Sequence, residues 1–241
     1  MNPARMLSAL IFSAASAPAE LTLQSGPAQT HLLELYTSEG CSSCPPAEKW
    51  FSGLKQNPRL WKEIVPVCFH VDYWDRLGWP DRFASKEFTG RQYRHAAASG
   101  RPGYVYTPGF VLDGREWKER SAEKIVAPGG NAGVLTAALR ERKGVAVAYR
   151  PPHTGNWEAH VAVLGFGLSS DVKAGENSGH KLKHDFVVLA LSSKAMTEKG
   201  DAHRVEMPLP ETKSGGESGL AVWITKTGEA QPVQAVGGFL P

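Results

Sequence analysis

Glu34-Leu35-Tyr36-Thr37-Ser38-Glu39-Gly40-Cys41-Ser42-Ser43-Cys44-Pro45-Pro46-Ala47 is the stretch on which the reading of this chain turns. Just upstream and overlapping it, His31-Leu32-Leu33-Glu34-Leu35-Tyr36 is a short apolar run of the kind a buried strand presents. Downstream, Ala47, Trp50, Phe51 and Leu54 recur at the i, i+3, i+4, i+7 spacing of one helical face. Two thiols therefore lie where a strand hands over to a helix. There the unpaired N–H groups and the backbone dipole favour thiolate over thiol, the setting of a thiol–disulfide redox site. Pro45 and Pro46 suit a first helical turn, so the helix is expected to begin at Cys44, with Cys41 ahead of it.

Further along, Ile64 to Val71 reads as a second strand, with Pro66 best placed at its first residues, where no ladder donor is needed. An aromatic-rich loop follows, Asp72-Tyr73-Trp74-Asp75-Arg76-Leu77-Gly78-Trp79-Pro80. A helix is expected from about Ser85 to Ser99, ended by Gly100. Gly109-Phe110-Val111-Leu112 and Arg115-Glu116-Trp117 flank the hairpin signal Asp113-Gly114. Val134, Leu135, Ala138 and Leu139 fall on one helical face of 131–142, which predicts a closing helix. This order is an α/β pattern over residues 30–142. Beyond Gly144, apolar runs at 145–149, 159–164, 186–191, 205–209 and 220–225 are separated by Gly, Pro, Ser and Asn clusters. They predict an antiparallel, sandwich-like β unit over 143–241.

Residues 1–19 read as an export signal, with Arg5, an apolar core from Leu7 to Ala15 and the small-residue site Ala17-Pro18-Ala19. That core is shorter than the roughly 20 apolar residues of a membrane span. The mature chain is therefore expected to be periplasmic or secreted, with no membrane segment after signal removal. Lys and Arg number 27 against 24 acidic residues, and the net charge of +3 is scattered, which argues against a nucleic-acid partner. With 41% apolar residues the chain has ample material for a core. Three cysteines allow one disulfide, for which Cys41 and Cys44 are the natural pair, leaving Cys68 alone.

The C-x-x-C at a strand-to-helix junction, followed by Thr107-Pro108 just before a hairpin, resembles the thioredoxin fold. Longer motifs are more specific: the opening stretch through Ala47, His70-Val71-Asp72-Tyr73-Trp74-Asp75 with Gly78-Trp79, Val105-Tyr106-Thr107-Pro108, and Gly175-Glu176-Asn177-Ser178-Gly179. Together they resemble an exported thioredoxin-like family catalogued as domain of unknown function 1223. The resemblance implies a thioredoxin-like domain followed by the β unit, and a cis-proline at Pro108 set against the disulfide to shape substrate binding. The chain departs from ordinary thioredoxins at their buried acid, where Leu35 stands, with Glu34 one position earlier.

The leading expectation is thiol–disulfide exchange with protein or peptide thiols and no organic cofactor. Cys41, nearer the surface, attacks; Cys44 resolves; Pro108 and Thr107 shape the contact, and Tyr73 and Trp74 wall a substrate groove. A second reading is a copper or zinc module in which Cys68 or His70, which share a strand face with Asp72, joins Cys41 and Cys44. The ordinary account of Cys68 as a small core residue and His70 as a hydrogen-bonded strand-end histidine is preferred. Asp72 has a proton-acceptor reading beside its commoner one as a turn residue. Glu176 and Asn177 read as a Gly-flanked turn, with His180 and His184 solvated after it. A third reading makes the first half a scaffold for a binding protein. An exposed sulfur favours exchange, a convergent third donor favours metal, and a buried disulfide favours the scaffold.

Overall fold

In the computed structural model, residues 20–126, 130–212 and 216–241 are described; the export signal expected over 1–19 lies outside them. The apolar-rich run at its predicted place forms the fully buried β2 (His31–Thr37), preceded by a short strand β1 (Leu21–Gln24). Helix α1 (Cys44–Gly53) begins at the second cysteine, with Ser43 at its N-cap position and proline in its first turn. Strand β3 (Ile64–His70) lies parallel to β2, and helix α2 (Lys86–Ala98) follows. The Ser85 hydroxyl caps α2 by accepting the Glu87 backbone N–H. Asp113-Gly114 turns β4 (Gly109–Leu112) into β5 (Arg115–Glu116), both residues at positive φ as a tight primed turn requires.

Pro66 sits third in β3, deeper than expected. The Cys68 N–H donates to Phe186 O, away from β2, so Pro66 two residues earlier turns its nitrogen the same way. The neighbouring strand on that side pairs with β3 only at Cys68, so no acceptor is left waiting there.

The predicted closing helix is a strand, β6 (Val134–Arg140). Its burial alternates, with Leu135, Ala137 and Leu139 inside. Val-Leu-Thr-Ala-Ala-Leu satisfies both helical and strand periods, and the partners decide: β6 pairs with β1 on one side and β7 (Gly144–Arg150) on the other. The β6–β7 hairpin thus crosses the boundary expected at residue 142. The remaining strands are β8 (Trp157–Gly165), β9 (Leu168–Asp171), β10 (Lys181–His184), β11 (Val187–Ala195), β12 (Thr197–Lys199), β13 (Ala202–Pro208), β14 (Ser218–Lys226) and β15 (Pro232–Phe239).

Among the described residues these strands form three sheets. An eight-stranded mixed sheet runs β15-β14-β8-β11-β3-β2-β4-β5, a five-stranded sheet runs β1-β6-β7-β13-β12, and β9 and β10 make a separate hairpin. The second half of the chain is therefore not a detached unit. Its strand β11 lies parallel to β3 and carries β8, β14 and β15 onto the same sheet, so one core runs from Leu35 and Phe69 to Ala162 and Trp223. A second core, including Leu139, Val147, Val161 and Val222, fills the space between the two large sheets. Side-chain alternation puts α2 on one face of the large sheet. Helix α1 and the five-stranded sheet share the other face. The architecture is mixed α/β, dominated by sheet and sandwich-like at its β-rich end.

Candidate functional site

Cys41 and Cys44 form a disulfide at the mouth of α1, with a Cα–Cα separation of 5.4 Å. The Cys44 N–H donates to Cys41 O at 3.1 Å, closing a turn that leaves Ser42 and Ser43 exposed. Ser43 Oγ lies 3.4 Å from Cys41 Sγ. Both cysteines are nonetheless 0% exposed, which overturns the expectation that Cys41 lies near the surface.

The cover comes from the far end of the chain. The loop joining β9 to β10 lies over the C-x-x-C turn, and the buried Asn177 side chain donates to Glu39 O at 2.8 Å and Cys41 O at 3.0 Å. One Glu176 carboxylate oxygen accepts the Ser42 N–H at 3.0 Å and the Ser42 hydroxyl at 2.7 Å, and these Ser42 donors hold its carboxyl below the usual range. Gly175 and Gly179 bracket the segment at positive φ, where a side chain would strain the backbone. The Gly-Glu-Asn-Ser-Gly motif is thus a cap over the disulfide rather than a free turn. His180 is exposed as expected, but His184 is buried.

On the other flank, Trp74 joins the C-x-x-C approach to the proline loop. Its indole N–H donates to Thr107 Oγ1 at 2.7 Å, and its Cβ lies 3.1 Å from where a Cβ on Gly40 would stand. The Thr107–Pro108 bond is cis. Tyr73, half-buried, has its hydroxyl 3.4 Å from Gln92 Oε1, and burial pushes that hydroxyl's pKa up to about 12. Thr107 and Trp74 are thereby brought to the site, and the Tyr73 hydroxyl lies between Thr107 and Gln92 of α2. Asp72 accepts the Thr89 hydroxyl at 2.6 Å and the same hydroxyl accepts the Asp72 N–H, a loop-to-helix tie that fits its turn reading.

Glu34 faces away from the disulfide. Alternation along β2 sends it to the α2 side, where Arg91 binds it through two nitrogens at 2.7 and 2.9 Å and Tyr36 donates to it at 2.7 Å. Burial opposes its ionisation, and the charges of Arg91 and His95 overcome that and hold the carboxyl far below its usual range. It therefore does not take the place of a buried acid under the cysteines.

Beneath the disulfide lies a group that sequence reasoning did not assemble. Glu48, one turn along α1 from Cys44, accepts the Thr37 hydroxyl at 2.5 Å and pairs with His184 Nδ1 at 2.5 Å. His184 Nε2 faces Glu39 Oε1 at 3.2 Å, and Trp79 donates its indole N–H to Glu39 Oε2 at 2.6 Å. His70 Nδ1 pairs with Asp81 Oδ2 at 2.7 Å, and the Glu39 and Phe83 N–H groups also donate to Asp81. Burial works against a charged His184, but its bonds to Glu39 and Glu48 outweigh burial and push its pKa up to about 10. Burial likewise opposes ionisation of Asp81, and the charge and hydrogen bond of His70 lower it.

One ligand atom each of Glu48, His70 and His184 lies within 4.8 Å of the others, all three residues buried. No cysteine belongs to this group, so the expectation that Cys41 and Cys44 converge with Cys68 or His70 is replaced by a histidine–carboxylate set. Cys68 is buried, and desolvation first, then the Glu48, Asp81 and Asp185 charges, push its thiol well above the ordinary range, which keeps it protonated. The available signals were the i, i+4 spacing of Cys44 and Glu48 and the presence of His180 and His184 four apart; nothing local showed that His184 is buried against Glu48.

Fold and site together define a sheet-rich α/β protein with a capped C-x-x-C disulfide. The chain belongs to the family described as protein of unknown function (DUF1223), which matches residues 32–225. It is similar to the crystal structure of protein AGR_C_4864 from Agrobacterium tumefaciens, at 28% identity and a TM-score of 0.63, over 90% of this chain and 96% of that one. HBP35 of Porphyromonas gingivalis shares the fold at 13% identity and a TM-score of 0.60, over 90% of this chain and 76% of that one. No curated protein matches the chain.

Proposed function

We propose that this is an exported thioredoxin-like thiol–disulfide oxidoreductase of the periplasm or extracellular space, acting on protein or peptide thiols and gated by the Gly175–Gly179 cap. The observation that carries the reading is the disulfide at the N-terminus of α1, with Trp74 packed on Gly40 beside it and bonded to Thr107 of the loop that leads into β4. A ring closed by two intervening residues is very short and constrains the unfolded chain little, so stiffening is a weak reason to keep it. When the cap lifts, a substrate thiolate attacks Cys41 Sγ, the S–S bond breaks and Cys44 leaves as thiolate at the positive end of α1. A second substrate thiol then attacks the mixed disulfide and releases Cys41. Two electrons and two protons pass from the substrate dithiol to the cysteines, and the reverse sequence reduces a substrate disulfide.

Burial of both sulfurs also suits a static scaffold. What favours exchange is the nature of the cover. Glu176 and Ser42, whose bonds help hold the cap, are exposed to water, which replaces such bonds at small net cost. The test is the equilibrium reduction potential of the pair, by glutathione-buffer titration with mass tagging of thiols. A reversible two-electron transition that disappears in Cys41→Ser supports exchange. A pair still oxidised far below about −300 mV is a structural disulfide, and the proposal fails.

A further inference from the structure

The geometry points to a binding site for a divalent cation of the zinc class, held by His70, His184 and Glu48 under the disulfide and independent of thiol chemistry. Two imidazoles and one carboxylate are a donor set that zinc uses, and here they come from β3, β10 and α1. Their ligand atoms already lie within 4.8 Å of one another.

The second observation is how the histidines are held. His70 spends Nδ1 on Asp81, itself fixed by the Glu39 and Phe83 N–H groups. That leaves Nε2 buried and without a hydrogen-bond partner among the described residues, on a side chain that is 0% exposed. A buried ring nitrogen left open in this way carries a desolvation cost that a cation removes. His184 Nδ1 lies 2.5 Å from Glu48 Oε2, and its Nε2, 3.2 Å from Glu39 Oε1, is likewise buried without a hydrogen-bond partner among the described residues. Asp81 on His70 Nδ1 is the carboxylate partner that fixes tautomer and orientation in metal-ligating histidines. The ligating carboxylate is braced as well, by the Thr37 hydroxyl on Glu48 Oε1.

Charge supports the assignment. Glu39, Glu48 and Asp81 bring three carboxylates to two imidazoles, all five residues buried, so negative charge remains even with both rings protonated. A divalent cation placed here meets that surplus in a low-dielectric setting, where its attraction is strongest. To bind one ion tetrahedrally, His184 Nδ1 and Glu48 Oε2, now 2.5 Å apart, must part to about 3.3 Å, and the His70 ligand atom, within 4.8 Å of the other two, must take the same spacing. His184 ends the hairpin whose loop is the cap, so the movement that uncovers the disulfide also opens the way to this site.

The experiment uses metal-depleted full-length protein with its disulfide closed, dialysed against Zn2+ and analysed by elemental mass spectrometry, with Co2+ as a spectroscopic probe. About one Zn2+ per chain is expected, together with Co2+ bands that lack thiolate charge transfer. His70→Gln and His184→Gln should each abolish uptake. Asp81→Asn, which leaves all three ligands in place, should weaken binding about 10–100-fold, and a Cys41→Ser/Cys44→Ser protein should bind as wild type. The inference is overturned by wild-type protein that takes up no zinc, by unaltered binding in both histidine variants, or by binding that appears only after the disulfide is reduced. Wild-type stoichiometry decides the matter should a variant fail to fold. Because the disulfide stays closed, failure here leaves the redox proposal standing, and failure of the reduction-potential test leaves this site standing.

Discussion

Replacing Asn177 by Ala should make the Cys41–Cys44 disulfide reducible far faster while the rest of the fold stays closed. The side chain is 5% exposed and donates two hydrogen bonds, to Glu39 O and Cys41 O, from the cap to the C-x-x-C segment. At a net value of about 1 kcal/mol per bond, the closed cap loses about 2 kcal/mol. That is about a 30-fold rise in the fraction of molecules with the cap open. When reclosing outpaces reaction, the reduction rate follows that fraction, so reduction by dithiothreitol should accelerate by about 30-fold. The assay is timed quenching with mass-tagged maleimide, repeated in low urea. Local opening exposes little surface, so the rate should be nearly flat with urea, whereas reaction from the unfolded chain should climb with the full unfolding slope. A rate within threefold of wild type, or a wild-type rate that tracks global unfolding, would refute the idea of a gate.

Two further predictions concern the opposite face of the sheet. His160 is held neutral between Ser193 Oγ at 2.7 Å and Thr225 Oγ1 at 2.9 Å, and desolvation, aided by the Arg91 charge, lowers its pKa from 6.5 to about 3. The unfolded chain binds this proton first, so stability falls as pH drops below about 6.5 and levels off near 3, by up to about 5 kcal/mol; urea unfolding against pH should show a shallower decline in His160→Gln. Arg91→Met leaves the Glu34 carboxylate buried without its bidentate partner and should cost about 3–5 kcal/mol at neutral pH. Because the Glu34 pKa is depressed, the stability it contributes is present above pH 4.5 and lost as pH falls further. The penalty in Arg91→Met should therefore shrink in acid, and Glu34→Gln/Arg91→Met should recover part of it.

The cap brings the second half of the chain onto the disulfide of the first. Glu176 and Asn177 reach the C-x-x-C turn from one end of the β9–β10 hairpin, and His184 reaches Glu48 on α1 from the other. Lys55 on the turn after α1 pairs with Asp185 at 2.6 Å and anchors the same hairpin. An opening hairpin would thus alter the solvation of the disulfide and of the buried carboxylates together.

Local sequence alone determined the strand over residues 31–36, the helix starting at Cys44, the helix from about Ser85 to Ser99 and the Asp113-Gly114 hairpin. Each of these rests on signals a few residues apart: an apolar run, a 3.6-residue period, a glycine that ends a helix, a turn dipeptide. Tertiary structure decided what those signals leave degenerate. Val134–Arg140 fits two periods, and only its pairing with β1 and β7 makes it a strand. The parallel docking of β11 on β3, which merges the two halves, leaves no local mark on either segment. The burial of Cys41 and the meeting of Glu39, Glu48, His70, Asp81 and His184 are of the same kind. Their partners are far apart in sequence, and a buried charge is tolerable only where the fold returns another polar group to meet it, which no single stretch of chain can show.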